Sequence, residues 1–279
     1  SDTAICLRVQ SPVNIVGDIH GQFHDLLRIF DRLAASRQVQ YSLEVIVLLL
    51  SLMLVYPNSV YLLRGNHEAA NVCCRYGFKD EVMQRFGNET GHQRADGLPA
   101  LLPVAAAAAG LINQQIFCCH GGISPTFELE PYRSSKPVSA ITSLNSMRRP
   151  FEPPQFGAAC DLLWADPMPY PQFCLFKAGD QPAKASAGCS YMFSLLRRWS
   201  RRCTAASELD CLFGRGPSGG AGRTLHHSVQ RPGYSGTHTN AGAVLQIDRT
   251  RSTCAKPGSF FVLRPVENKP VTGLFWVGG

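Results

Sequence analysis

The chain has no C-x-x-C pair, no apolar run of membrane-spanning length and no internal repeat. The first absence removes the usual ligand spacing of a structural zinc site. A spanning helix needs about 20 apolar residues, and the most apolar stretch, 45–55, is far shorter. Ser1 to Gln10 shows no basic start followed by an apolar run, so no signal peptide is expected. The eleven cysteines are odd in number and irregularly spaced, which argues against a disulfide framework. Cys73-Cys74 and Cys118-Cys119 are adjacent pairs, poorly placed to bridge one another. The expectation is a soluble protein of the reducing cytoplasm or nucleus, with no membrane partner.

What is present suits a single large domain over 1–279. The 279 residues are 45% hydrophobic and 17% charged, enough apolar material for a sizeable core. The formal charge is +7, part of it in Arg197, Arg198, Arg201 and Arg202. Such a cluster can meet an anionic partner, but a solvated helix face is its commoner use. No nucleic-acid partner is expected.

Short apolar runs at Val13–Val16, 60–63 and Ile116–Cys119 read as buried strands. Phe23, Leu26, Leu27 and Phe30 repeat at helical spacing. The stretch 41–56 is a second helix, closed by Pro57 and Asn58. The alanine-rich 105–109 reads as apolar helix or strand, and 239–247 returns to strand-like sequence. Loops are expected at 131–150, 167–187 and 215–222, which are rich in Ser, Pro or Gly or poorly patterned.

Each of the three apolar runs stops at a turn with glycine and a polar cluster: Asp18/His20, Asn66/His67 and His120. Strand ends in an α/β sheet lie side by side, so clusters far apart in sequence can converge there. Asp18 and His20 are two apart, and in extended backbone such residues face the same way. Carboxylate, amide oxygen and imidazole donors without thiolate suit Mn, Fe or Zn.

Gly17-Asp18-Ile19-His20-Gly21 matches G-D-x-H-G of the metallophosphoesterases. Leu63-Arg64-Gly65-Asn66-His67-Glu68 matches their G-N-H-E motif. His120-Gly121-Gly122 with Ser124-Pro125 matches H-G-G-x-S-P, and Cys160-Asp161-Leu162-Leu163-Trp164-Ala165-Asp166-Pro167 matches C-D-L-L-W-x-D-P. Gly188-Cys189-Ser190-Tyr191 is similar to R-G-x-S-Y, and Pro232-Gly233-Tyr234 with Asn240-Ala241-Gly242-Ala243 to A-P-N-Y … N-A-G-A. Six segments in one order over about 13–247 resemble the phosphoprotein phosphatase (PPP) family of serine/threonine phosphatases, in the calcineurin-like metallophosphoesterase superfamily.

The resemblance implies an α/β fold, a β-sandwich flanked by helices, that hydrolyses phosphoserine and phosphothreonine with two divalent metal ions (Mn, Fe or Zn). Asp18 and His20 would bind the first metal, and Asn66 and His120 the second. His67 would be the general acid, and Arg64 and Tyr234 would bind substrate. Phosphoprotein substrates and regulatory subunits are the implied partners.

Several family features are absent. The unit G-D-x-V-D-R-G, which supplies the bridging Asp and the Asp that orients the catalytic His, has no counterpart between the first two helices. Its loss predicts a sandwich one core strand short. Ala187 replaces the Arg before G-x-S-Y, and Gly214-Arg215-Gly216 stands where R-A-H is expected. His226, His227 and His238 are near in sequence, but metal geometry tolerates only small errors. The alternative implied is a catalytically impaired binding module.

Overall fold

The computed structural model describes residues 4–31, 41–87, 97, 101, 104–113, 116–122, 124, 147, 149–167, 192–193, 203–205, 226–227, 232, 241–249 and 259–264. Among them lie strands β1 (Cys6–Val9), β2 (Val13–Val16), β3 (Ala109–Ile112), β4 (Ile116–Cys119), β5 (Asp166–Pro167), β6 (Met192–Phe193), β7 (Cys203–Ala205), β8 (His226–His227), β9 (Gly242–Ile247) and β10 (Ser259–Leu263). The helices are α1 (Phe23–Asp31), α2 (Ser42–Val55), α3 (Ala70–Cys73), α4 (Phe78–Phe86) and α5 (Ala158–Trp164).

Two sheets dominate. One has the order β1-β3-β4-β7-β8, the other β10-β9-β2, and β5 pairs with β6 apart from both. In the first, β3 and β4 are antiparallel, with Ala109 opposite Cys119, while β4, β7 and β8 run parallel. In the second, β9 is antiparallel to both neighbours.

Alternation along the strands explains why the sheets stack. On β4, Ile116 and Cys118 point into a cluster with Val9, Ile112, Leu245 and Ile247, joined by Val13, Ile15 and Phe260. That cluster draws on both sheets and forms the inner layer of a sandwich. Phe117 and Cys119 face the other way, toward Ile5, Cys6, Ala108, Ala109 and Leu162 of α5. A third cluster, Ile19, Leu26 and Val45 with Val16, Phe23 and Ile29, seats α1 and α2 outside β2. The α/β sandwich with flanking helices is therefore the fold.

The sequence pattern needs correction at two places. The expected strand 60–63 is reduced to one bridge, Leu63 with Ala107. From Ala109 onward β3 is paired with β1 on one side and β4 on the other, so the bridge falls ahead of β3, at Ala107. The helical repeat places Ile29, not Phe30, against the core; Phe30 is exposed. The apolar 105–109 supplies the start of β3. Elsewhere β2, α1, α2, β4 and β9 lie where the apolar periods put them. The loops expected at 131–150, 167–187 and 215–222 fall almost wholly outside the described residues.

Among the described residues β2 is the edge of its sheet, and its residues are half-buried or exposed rather than buried. The helix α2 is apolar all round, yet only Val45 is buried, while Val47, Leu54 and Val55 are exposed. A helix of that composition is normally covered on every side.

The N-terminus of α2 is capped from a distance. Tyr41 gives no side-chain cap. Instead the Glu81 carboxylate of α4 accepts from the Ser42 and Leu43 amides at 3.2 and 3.3 Å. These are orphan donors of the first turn, and a negative charge there also suits the helix dipole. Arg85 pairs with both Glu81 and Glu44, locking α4 to α2. Replacing Glu81 with Ala is expected to lower stability by about 1 kcal/mol, the usual cost of a lost cap. Urea unfolding checks this, and an unchanged midpoint would remove Glu81 from that role.

Candidate active site

Three turns meet at one end of the sandwich. Asp18 and His20 follow β2, His120 follows β4, and Asn66 and His67 sit in the turn after the Leu63 bridge. The first turn is tight: His20 has φ +51° and Gly21 φ +69°. A Cβ on Gly21 would lie 2.7 Å from Ser42 Oγ, so glycine is needed both for its backbone angle and for room beside α2.

The side chains converge in pairs. His20 Nε2 lies 3.0 Å from Asp18 Oδ2. His120 Nε2 lies 3.1 Å from Asn66 Oδ1. His120 Nδ1 is 4.0 Å from Asp18 Oδ2, which brings the two pairs together. The His67 ring stands 6.4 Å from that of His20 and 5.0 Å from that of Tyr76. Burial pushes the Asp18 carboxyl up, but His20 and then His120 outweigh it and hold it well below the usual carboxylate range.

Glu68 belongs to the same cluster and was not singled out from sequence. Its Oε2 accepts from the Gly65 amide at 2.8 Å. A Cβ on Gly65 would fall 2.6 Å from that oxygen and 3.2 Å from His120 Nδ1. Burial foremost, then repulsion from Asp18, pushes the Glu68 carboxyl up. Its position in the G-N-H-E motif was legible; its fold back onto Gly65 needed the turn.

Arg64 was expected to bind substrate. Its side chain is instead only 1% exposed, donating from Nε to the Glu68 carbonyl at 2.9 Å and from Nη1 to the Phe151 carbonyl at 2.5 Å. Tyr234 and His238 lie outside the described residues. Backbone pairing places His227 beside Ala205, which pairs with Cys119.

An octahedral ion with ligands at about 2.1 Å sets neighbouring donors about 3 Å apart. The Asp18–His20 and Asn66–His120 separations both have that spacing, and their oxygen and nitrogen atoms suit a hard or borderline ion. Among the described residues no group of three or more His, Cys, Asp and Glu side chains is arranged to hold an ion. The residues thus fit as two pairs, each an incomplete shell.

A calcineurin-like phosphoesterase family model matches residues 11–198, more than half of the chain. The chain belongs to the calcineurin-like phosphoesterase family. The phosphoesterase is also similar to a solved protein serine/threonine phosphatase from Saccharomyces cerevisiae that is described as having similarity to human phosphatase PP5. Identity is 22% and the TM-score 0.65, covering 96% of this chain and 86% of that one. At that identity the likeness shows the shared fold. No helix among the described residues is long and apolar enough to cross a membrane.

In this phosphoesterase the His120 turn rests on α5. Gly121 and Gly122 donate to the Leu162 and Asp161 carbonyls at 2.7 and 3.1 Å, satisfying the open C-terminal end of that helix. Ser124 Oγ donates to the Asp161 carboxylate at 2.6 Å. A Cβ on Gly121 would lie 2.6 Å from Leu163 C and Trp164 N, backbone atoms with little room to move. Gly121→Ala is expected to cost about 1–3 kcal/mol, the range for overpacking. Thermal unfolding at neutral pH checks it, and a melt within a degree of wild type contradicts this close fit.

The cysteines near the site give a second check. Cys73 is buried and donates to the His67 carbonyl at 3.0 Å, and burial first, then Glu68, pushes its thiol up to about 12. Burial likewise pushes Cys6 up to about 11. Cys74, next to Cys73 in the chain, is exposed. Iodoacetamide at pH 7.5 is therefore expected to modify Cys74 and spare Cys73 and Cys6, since the thiolate is the reactive form. Peptide mass spectrometry reads this directly; rapid loss of Cys73 would contradict the packing around His67.

Proposed function

We propose that this phosphoesterase removes phosphate from phosphoserine and phosphothreonine in proteins, through a dinuclear metal site. The observation that carries the reading is the convergence of Asp18/His20 and Asn66/His120, two donor pairs at ligand spacing, on one sandwich end. The six phosphatase-like segments in order support the phosphoprotein branch.

Asp18 and His20 would hold one ion, and Asn66 and His120 the other. When bound, two divalent ions (Mn, Fe or Zn) supply charge against the phosphoryl oxygens and lower the pKa of a water nucleophile. His67 gives its proton to the departing serine or threonine oxygen, the role for which a positioned imidazole is suited. Tyr76 packs against the His67 ring and Cys73 holds its carbonyl, so the imidazole is placed from two sides. By resemblance Tyr234 is the substrate-binding residue, and regulatory subunits select the phosphoprotein, in the cytoplasm or nucleus.

The absent G-D-x-V-D-R-G unit favours a second reading, a binding module that takes one ion or none. Hydrolysis of a phosphothreonine peptide with Mn2+ separates the two. The expected result is turnover that Asp18→Asn abolishes and that His67→Asn lowers in kcat by about 10²–10⁴-fold, the usual worth of a general acid. A folded chain without turnover at saturating Mn2+ would falsify the enzymatic reading and leave the binding module.

A further inference from the structure

The second donor pair is carried by two turns that are fastened to one stretch of chain. The Asn66 turn is closed by Arg64: its backbone amide donates to the Ala107 carbonyl at 2.7 Å, and its Nε donates to the Glu68 carbonyl at 2.9 Å. The same guanidinium reaches across to the Phe151 carbonyl at 2.5 Å and lies over the Phe151 ring, 4.8 Å from its centroid. Phe151 stands just ahead of α5, and α5 holds the His120 turn through Gly121, Gly122 and Ser124. Arg149 ties the start of this stretch to the segment leading into β3 by donating to the Ala106 carbonyl at 2.9 Å.

Residues 149–165 therefore form one brace behind both turns. His120 is fixed to it by backbone bonds. Asn66 is joined to it through Arg64. The guanidinium is 1% exposed, so it faces the protein interior rather than a substrate. Burial pushes its pKa down, while Glu152 and then Glu68 oppose this. Its planar fork satisfies two carbonyls in fixed directions at once, which the single ammonium of lysine does not reproduce.

We propose that Arg64 is a positioning residue: by clasping the Glu68 and Phe151 carbonyls together it holds the Asn66 turn at ligand distance from His120. The role rests on the phosphatase reading only where it concerns metal uptake. Outer partners of this kind typically carry 10–100-fold of metal affinity.

Wild type, Arg64→Lys and Arg64→Met are to be compared by amide hydrogen exchange without metal, and by calorimetric titration with Mn2+. In both variants the Gly65 and Glu68 amides are expected to exchange about tenfold faster or more, while α1 and the β9–β10 ladder keep their protection. Mn2+ affinity is expected to fall about 10–100-fold, with lysine no better than methionine. Unchanged exchange in the turn overturns the proposal. So does a uniform rise across all elements, the mark of a merely structural loss, or full recovery of affinity by lysine. If the turn loosens as expected but wild type takes up no Mn2+, the clasp stands and the metal-dependent phosphatase reading fails.

Discussion

The 3.1 Å approach of Asn66 to His120 is the constraint on which the site depends, because it joins turns 54 positions apart in sequence. Among the described residues one backbone bridge, Leu63 with Ala107, carries the Asn66 segment along the sheet. A single bridge fixes where the segment passes, not how the following turn is presented. That orientation comes from side chains: Arg64 from behind, and Glu68 from within through Gly65. His120 has firmer support, since β4 is paired on both sides and α5 takes its glycine amides. The two donors of one pair are thus held by different kinds of structure, one by ladder and helix end, the other by a buried charged clasp.

The electrostatics of the pocket follow from that arrangement. Asp18 and Glu68 are both carboxylates, yet burial and mutual repulsion push Glu68 up while His20 and His120 hold Asp18 down. Asp18 is the group suited to remain charged beside a cation. Glu68 is taken up by the Gly65 amide and serves the turn. The protein separates two similar groups into a donor and a brace by where each carboxylate finds hydrogen-bond partners.

Much of this was legible in the sequence. Apolar runs ending in Gly and polar residues located β2 and β4, and with them Asp18, His20 and His120, because a strand has a short period and an abrupt end. The helical repeat found α1 and α2 for the same local reason. What failed was non-local. Whether 60–63 becomes a strand depends on free edges of β3, already occupied from Ala109 by β1 and β4. Whether Arg64 meets substrate or the interior depends on Phe151, which is 87 positions away. The cap on α2 comes from Glu81, 39 positions on, so no local signal at Tyr41 could reveal it. Pattern reports what a segment buries; it does not report which distant partner it is buried against.

The missing G-D-x-V-D-R-G unit shows how separable fold and chemistry are here. The inner layer of the sandwich is built from β1, β3, β4, β9 and β10 together with Val13 and Ile15, and its cluster is closed without any further strand. Outside that layer, among the described residues, β2 is a sheet edge and α2 exposes Val47, Leu54 and Val55. Those are the elements that lead into and pack beside the Asp18 turn. The second pair is anchored through β4, α5 and the Arg64 clasp. Asn66–His120 is therefore the more heavily braced half of the site, and Asp18–His20 the less.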